Sequence, residues 1–315
     1  MSLTIASQLG DDINDELRRR MPALEIVAVK LGAPQAIADG IEVLLTGPIR
    51  APGAPPASSA PPGWPFSLKW VQLVSAGIDE YPRWLFDGPT VTAAREVSGE
   101  ALAEFAIAAI FSAAKDLPEL WVHATQDWRP RPLRSVAGST LGLAGFGAIG
   151  QALAKKALAL DMRVLALRRH GRASDVAGIE DVQDIGTLFE RSDHVVLGLP
   201  LTAQTQGIVN GDLLARAKPG LHLINLARGR LIDDDALLAA LDASRLSRAT
   251  LDVTYPEPLP DGHPFYRHPR VQVSAHTAAY TPETRESLLS RLLENLQRYR
   301  RGDALQHPVD IIRGY

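Results

Sequence analysis

Short apolar runs punctuate the chain, with polar-faced stretches between them. LTIA (Leu3–Ala6), EIVAV (Glu25–Val29), IEVLLTG (Ile41–Gly47) and WVQLVSAG (Trp70–Gly77) predict short strands near the start. Between the first two, DDINDELRRR predicts a helix whose opening acids and closing arginines suit the helix dipole. After Gly138 the alternation becomes regular. STLGLAGFG, MRVLALRR, HVVLGLP (His194–Pro200), LHLINLA (Leu221–Ala227), RATLDVT (Arg248–Thr254) and VQVSAH (Val271–His276) read as strands. AIGQALAKKALALD, NGDLLARA and DDDALLAALDAS read as helices among them. Near-continuous apolar strands alternating with helices predict an α/β fold with a doubly wound parallel sheet.

Two longer helices stand apart. Ser98–Leu117 opens on a residue suited to N-capping and is apolar around much of its circumference. That predicts burial on more than one side, by its own domain or by a second subunit. Thr281–Arg301 is charged and amphipathic. The stretch Arg50–Pro65, RAPGAPPASSAPPGWP, predicts a surface loop, with an active-site border as the alternative.

Composition narrows the function classes. A chain of 315 residues has room for two domains. Its net charge of −3 gives no bulk drive toward nucleic acid or anionic membrane. With no cysteine, disulfides, thiolate metal sites and a cysteine nucleophile are excluded. The apolar-rich run Ala101–Ala114 is interrupted by Glu104 and too short to span a bilayer. The opening MSLTIASQLGDDIN lacks a signal-peptide pattern. A soluble cytoplasmic protein without nucleic-acid or membrane partners is expected. No spacing of histidines and carboxylates suggests a metal site.

The chemistry begins at GFGAIG. Gly145, Gly147 and Gly150 follow a predicted strand and open a predicted helix, the context that gives this pattern meaning. Gly145 permits the tight turn, Gly147 lets backbone approach a pyrophosphate, and Gly150 lets helix and strand pack closely. Phosphates then meet the helix N-terminus around Ala148 and Ile149. The next strand ends at Arg168, 18 residues after Gly150, where the residue facing the adenosine ribose belongs. A carboxylate there accepts from a 2′-hydroxyl; an arginine pairs with a 2′-phosphate. Arg168 and Arg169, with Arg172 nearby, therefore point to NADP. NAD with an arginine stacked on adenine, or a solvated basic loop, are the alternatives.

Three more side chains end strands or follow them. Arg228, in NLARGRLID, suits bidentate capture of a carboxylate. Glu257 lies in the proline-bounded loop of LDVTYPEPLP, and His276 ends VSAHTAAY. His194, at a strand start, is expected to be structural, and His263 and His268 to lie at the surface.

From GFGAIG through SDHVVLGLPLTAQTQGIVN, KPGLHLINLARGRLIDDDALLAAL, LDVTYPEPLPDGHPFY and SAHTAAYTPE, the chain resembles the D-isomer-specific 2-hydroxyacid dehydrogenase family, in its glyoxylate/hydroxypyruvate reductase-like branch. Earlier, LVSAGID resembles the family's substrate-carboxylate loop and SGEALAEFAI the start of its interdomain helix. The resemblance implies a flavodoxin-like substrate domain from residues 1–97 and 281–315, and a Rossmann-type cofactor domain from 98–280. It implies that Arg228 holds the substrate carboxylate, His276 is the general acid and base, and Glu257 orients His276 and raises its pKa. Backbone N–H groups of Ala76 and Gly77 would bind the carboxylate, and Asp252 the nicotinamide carboxamide. Leu199, Pro200, Thr205, Ala227, His276 and Ala278 would complete the cofactor site. A homodimer through Ser98–Trp128 is implied as well, along with a cleft that closes on the substrate.

The expected activity is hydride transfer between NADPH and a small D-2-hydroxy or 2-oxo acid such as glyoxylate or hydroxypyruvate. The alternatives are an NAD-linked biosynthetic dehydrogenase of a 3-phosphoglycerate-like substrate and a non-enzymatic dinucleotide sensor. Two departures bear on this. Arg168 stands where NAD-using relatives commonly carry Asp, and Tyr255-Pro256 precede Glu257 where many relatives are more acidic.

Overall fold

The computed structural model describes residues 2–48, 59–168, 176–312 and 314. The chain forms two compact units, residues 1–98 with 281–315, and residues 99–280.

The first unit starts with β1 (Leu3–Ser7), α1 (Asp11–Arg20), β2 (Leu24–Ala28), β3 (Val43–Thr46), β4 (Trp70–Leu73) and β5 (Thr90–Thr92). All neighbouring pairs are parallel, in the order β2-β1-β3-β4-β5. This is the flavodoxin-type order. Every residue of β3 and β4 is buried, so the apolar run without polar alternation reflects a sheet covered on both faces. Leu44, Val71 and Leu73 pack with Trp84 and Leu85 on one face. Ile5, Val43, Leu45 and Trp70 pack on the other, with Leu17 of α1. β5 was not expected; TVT is three residues long and only one of them is apolar.

The second unit runs α2 (Gly99–Lys115), α3 (Leu117–Leu120), β6 (Thr140–Ala144), α4 (Ala148–Ala159), β7 (Arg163–Leu167), β8 (Ile179–Val182) and α5 (Ile185–Arg191). It continues through β9 (His194–Leu197), α6 (Gly211–Arg216), β10 (Leu221–Asn225), α7 (Asp234–Asp242), β11 (Leu246–Leu251) and β12 (Val271–Val273). The parallel sheet has the order β12-β11-β10-β9-β6-β7-β8. Counted from β6, this is the Rossmann order with one added strand, and the direction in which strands are added reverses between β6 and β9. Ligands bind such sheets beyond the carboxyl ends of the strands at that reversal. β8 escapes the sequence pattern because Glu180 and Asp181 are exposed at its centre, as an edge strand allows.

α2 and α4 pack closely because their facing residues are small. Ala103, Ala106, Ala152 and Ala154 share one buried cluster. A Cβ on Gly99 would stand 3.3 Å from the Ala148 carbonyl carbon. As expected for its apolar circumference, α2 is covered widely, with Leu102 and Ile110 buried and Phe105, Ile107 and Phe111 partly so. The chain then returns to the first unit as α8 (Pro282–Arg301), capped by Thr281, whose hydroxyl accepts from the Thr284 N–H at 3.1 Å. Its Leu289, Leu292 and Leu296 complete the α1 side of that core. Among the described residues no helix is long and apolar enough to cross a membrane.

Candidate active site

The glycine turn lies directly beyond β6, at the reversal of strand order. Gly145 has φ +106°, and a Cβ there would stand 2.7 Å from the Gly198 carbonyl oxygen. A Cβ on Gly150 would come within 2.7 Å of the Gly145 carbonyl oxygen. Both are glycine because the fold leaves no room. Gly147 differs: a Cβ there would meet nothing within 4 Å. Its missing side chain opens space above the start of α4, where no side chain caps the helix. The first N–H groups of a helix have no intrahelical acceptor. Open space, outward donors and the helix dipole fit a pyrophosphate.

Arg228 follows β10. The buried Asn225 shapes its turn, accepting from the Ala227 N–H at 3.1 Å and donating to the Arg228 carbonyl at 2.8 Å. The next residue must be glycine, because a Cβ on Gly229 would fall 2.1 Å from the Thr254 carbonyl carbon. This contact draws the turn after β10 against the loop carrying Glu257. That loop is itself tied down, since Glu257 Oε1 accepts from the Thr254 N–H at 2.9 Å.

The other oxygen, Glu257 Oε2, lies 2.9 Å from His276 Nδ1. The Glu257 hydrogen bond raises the His276 pKa above its ordinary value, against the opposing effects of burial and of the Arg228 charge. For Glu257, burial pushes the pKa up, but the hydrogen bonds from His276 and the Thr254 N–H outweigh it and the carboxyl titrates below its ordinary value. The imidazolium–carboxylate form is favoured. Arg228 is close enough to act on both charges.

His276 adopts a left-handed backbone, φ +52°, which a residue with a Cβ rarely takes. Asp252 enforces it. The Asp252 carbonyl accepts from the His276 N–H at 2.9 Å. Its buried carboxylate accepts from the Thr277 N–H at 2.9 Å, the Ala278 N–H at 3.1 Å and the Ser274 hydroxyl at 2.6 Å. Asp252 is thus engaged by the turn that carries His276.

Arg168 directly follows β7. Its Nη2 donates to Asp181 Oδ2 at 2.6 Å, and its guanidinium carbon lies 5.7 Å from the Phe146 ring centroid. Arg169 lies outside the described residues, as do Arg172 and most of Arg50–Pro65.

A model of the D-isomer specific 2-hydroxyacid dehydrogenase NAD binding domain matches residues 107–278. The chain is 31% identical over 258 residues to a glyoxylate/hydroxypyruvate reductase A of Serratia proteamaculans, covering 79% of this chain and 82% of that one. The chain belongs to the D-isomer specific 2-hydroxyacid dehydrogenase family. It is also 32% identical over 244 residues to a glyoxylate reductase of Thermofilum pendens, covering 73% of this chain and 71% of that one. Among solved structures, a D-isomer specific 2-hydroxyacid dehydrogenase of Xanthobacter autotrophicus Py2, in complex with NADPH and MES, superposes over all of both chains with TM-score 0.82 at 27% identity.

In this dehydrogenase the expected residues fall into distinct groups. Arg228, Glu257 and His276 converge. Ala148 and Ile149 begin α4. Leu199 and Pro200 lead from β9 into a loop that Thr205 closes, its hydroxyl donating to the Pro200 carbonyl at 2.6 Å. Ala227 and Ala278 are nearly buried, their N–H groups bonded to Asn225 and Asp252. Ala76 and Gly77 follow β4 in the other unit, on a turn where the Ser75 hydroxyl donates to the Gly77 carbonyl at 2.8 Å. Asn225, Gly229 and Asp181 were not anticipated. Gly229 had a visible signal, a glycine directly after an arginine at a strand end.

The remaining histidines divide. His194 is buried and structural, its Nδ1 3.2 Å from His222 Nδ1. His263 and His268 were expected at the surface, yet their side chains are only 17% and 10% exposed. Each Nδ1 accepts a backbone N–H two residues on, from Phe265 and Arg270, which folds the ring against the chain. Among the described residues no group of three or more histidines and carboxylates is placed to hold a metal ion.

Proposed function

We propose that this chain reduces small 2-oxo acids of the glyoxylate and hydroxypyruvate type to D-2-hydroxy acids, with NADPH preferred over NADH. The observation that carries the reading is the 2.9 Å His276–Glu257 pair beside Arg228, on the sheet whose glycine turn fits a pyrophosphate. The names of the two sequence relatives and the NADPH in the Xanthobacter structure support the same reading.

A nicotinamide nucleotide, its pyrophosphate held at Gly147 and the start of α4, would supply the hydride for the reduction. The chain's own residues do the rest. Arg228 grips the substrate carboxylate and polarises the carbonyl. With Nδ1 held by Glu257, Nε2 of His276 delivers the proton to the carbonyl oxygen and recovers it in the reverse direction. Glu257 stabilises the imidazolium, and Asp252 holds the turn on which His276 rides; its contact to the carboxamide is a second proposed role. Ala76 and Gly77 are proposed backbone donors to the carboxylate. Arg168 and Arg169 are proposed to meet the 2′-phosphate. Leu199, Pro200, Thr205, Ala227 and Ala278 are proposed to line the nucleotide.

The assembly proposed is a cytoplasmic homodimer formed through Ser98–Trp128. The support for the dimer is a set of exposed apolar side chains beyond α3, with Trp121 64%, Val122 44% and Trp128 80% exposed. Light scattering coupled to gel filtration tests this; a monomer at micromolar concentration overturns it.

Steady-state kinetics with NADPH and NADH against glyoxylate, hydroxypyruvate, pyruvate and bulkier 2-oxo acids test the activity. Turnover of the small acids with a higher kcat/KM for NADPH is expected. Equal or better NADH overturns the cofactor preference. No turnover, with a cofactor-dependent change in oligomeric state, overturns the enzyme in favour of a dinucleotide sensor.

A further inference from the structure

The arginine at the end of β7 faces a carboxylate on the neighbouring strand β8. In the β7–β8 register Asp181 lies opposite Ala166, two residues before Arg168, so Asp181 and Arg168 belong to the same face of the sheet. Asp181 Oδ2 accepts from Arg168 Nη2 at 2.6 Å. Both side chains keep contact with solvent, 26% exposed for Arg168 and 44% for Asp181. The guanidinium also leans on Phe146, the residue between Gly145 and Gly147. The pair therefore stands at the edge of the glycine turn.

We infer that Asp181 is a specificity-determining residue that moderates the preference for a 2′-phosphorylated nucleotide by competing for Arg168. The inference rests on the dinucleotide reading above. A 2′-phosphate brings close to two negative charges. It must share the guanidinium with the Asp181 carboxylate and is repelled by it. A 2′-hydroxyl carries no charge and feels no such penalty; a carboxylate within reach even accepts from it. Asp181 thus works against the arginine it holds, and leaves the site more tolerant of NAD than Arg168 alone would make it. An exposed ion pair is weak, so the effect is a moderation of preference and not a reversal.

The test is direct binding, by calorimetric titration of the full chain with 2′,5′-ADP and with 5′-AMP, in wild type and Asp181→Asn. Asn keeps the size of the side chain and removes its charge. Wild type binding 2′,5′-ADP more tightly than 5′-AMP is the outcome expected of the NADP reading; no preference overturns that reading alone. Asp181→Asn is expected to raise the ratio of affinities for 2′,5′-ADP over 5′-AMP by about fivefold. The NADPH/NADH ratio of kcat/KM is expected to move the same way. An unchanged ratio overturns the inference. So does a fall, which would make Asp181 a strut that places Arg168 for the phosphate. In an Arg168→Gln background the substitution of Asp181 is expected to change the ratio much less; a gain of equal size there overturns competition through Arg168.

Discussion

At the carboxyl edge of the seven-stranded sheet, His276 faces the carboxylate of Glu257 and its pKa is raised. Toward the amino edge of the same sheet, His194 opens β9 and faces His222 of β10, whose Nε2 lies 3.0 Å from the Thr250 hydroxyl. There burial dominates. It pushes His194 down to about 4, with the Asp193 charge opposing and Arg134 and Lys218 adding to the fall. His222, almost wholly enclosed, is pushed down for the same reason, with His194, Arg248 and Arg134 contributing. One imidazole is prepared to carry a proton and the other two to refuse it. Position in the sheet does not decide this. Partner charge and solvent access do.

The largest effect comes from breaking the reactive end. His276→Asn is expected to lower kcat/KM for 2-oxo acid reduction by about a hundredfold to ten-thousandfold, the range for loss of a placed proton donor. Thermal stability should change little, as Asn tolerates the left-handed backbone at this position. A loss below tenfold would mean that the proton reaches the substrate by another route. His194→Asn, by contrast, should leave kcat/KM at neutral pH within about twofold, as expected of a site remote from the chemistry.

Next in size is removal of the partner charge. In the proposed role the imidazolium donates the proton in reduction, so activity is expected to hold while His276 is protonated and to fall as pH rises through its raised pKa. Glu257→Gln removes the main cause of that rise. The alkaline limb of the kcat/KM profile should move to lower pH, with a loss of about tenfold at alkaline pH and less in acid. A uniform loss at all pH values, with the limb unmoved, would show that Glu257 acts only by orienting the ring.

The two histidine sites also differ in how far the residues announce them. The glycine turn was legible because its demands are local: Gly145 needs a positive φ and Gly150 a close approach within a few residues. Arg228, Glu257 and His276 stood out by residue type at or after strand ends, where α/β sites lie, but their roles came only from the family resemblance. The hold on His276 was not. Asp252 reaches the turn after β12 only because β11 and β12 pair in parallel, and no periodicity in either short strand carries that contact. Asp181 was hidden for the same reason, on an edge strand whose polar centre masks it. The His194–His222 contact spans 28 residues and exists through the pairing of β9 with β10.

The smallest effect at neutral pH, and the one that tests the buried end, appears only in acid. His194 has a folded pKa of about 4 against an ordinary value of 6.5. The unfolded chain therefore binds more protons between those values, and stability rises with pH across that window. The contribution is fully present above about pH 6.5 and is lost as pH falls toward the folded pKa. At pH 5 the wild type should have lost on the order of 2 kcal/mol through this residue. His194→Asn keeps a polar atom where Nδ1 meets His222 and cannot titrate, so its stability should fall less between pH 7 and pH 5. Denaturant unfolding of each protein at both pH values measures the difference within each chain, which removes any general loss caused by the substitution. Equal losses would mean that the proton is refused by His222 alone, and that His194 is a bystander in the buried pair.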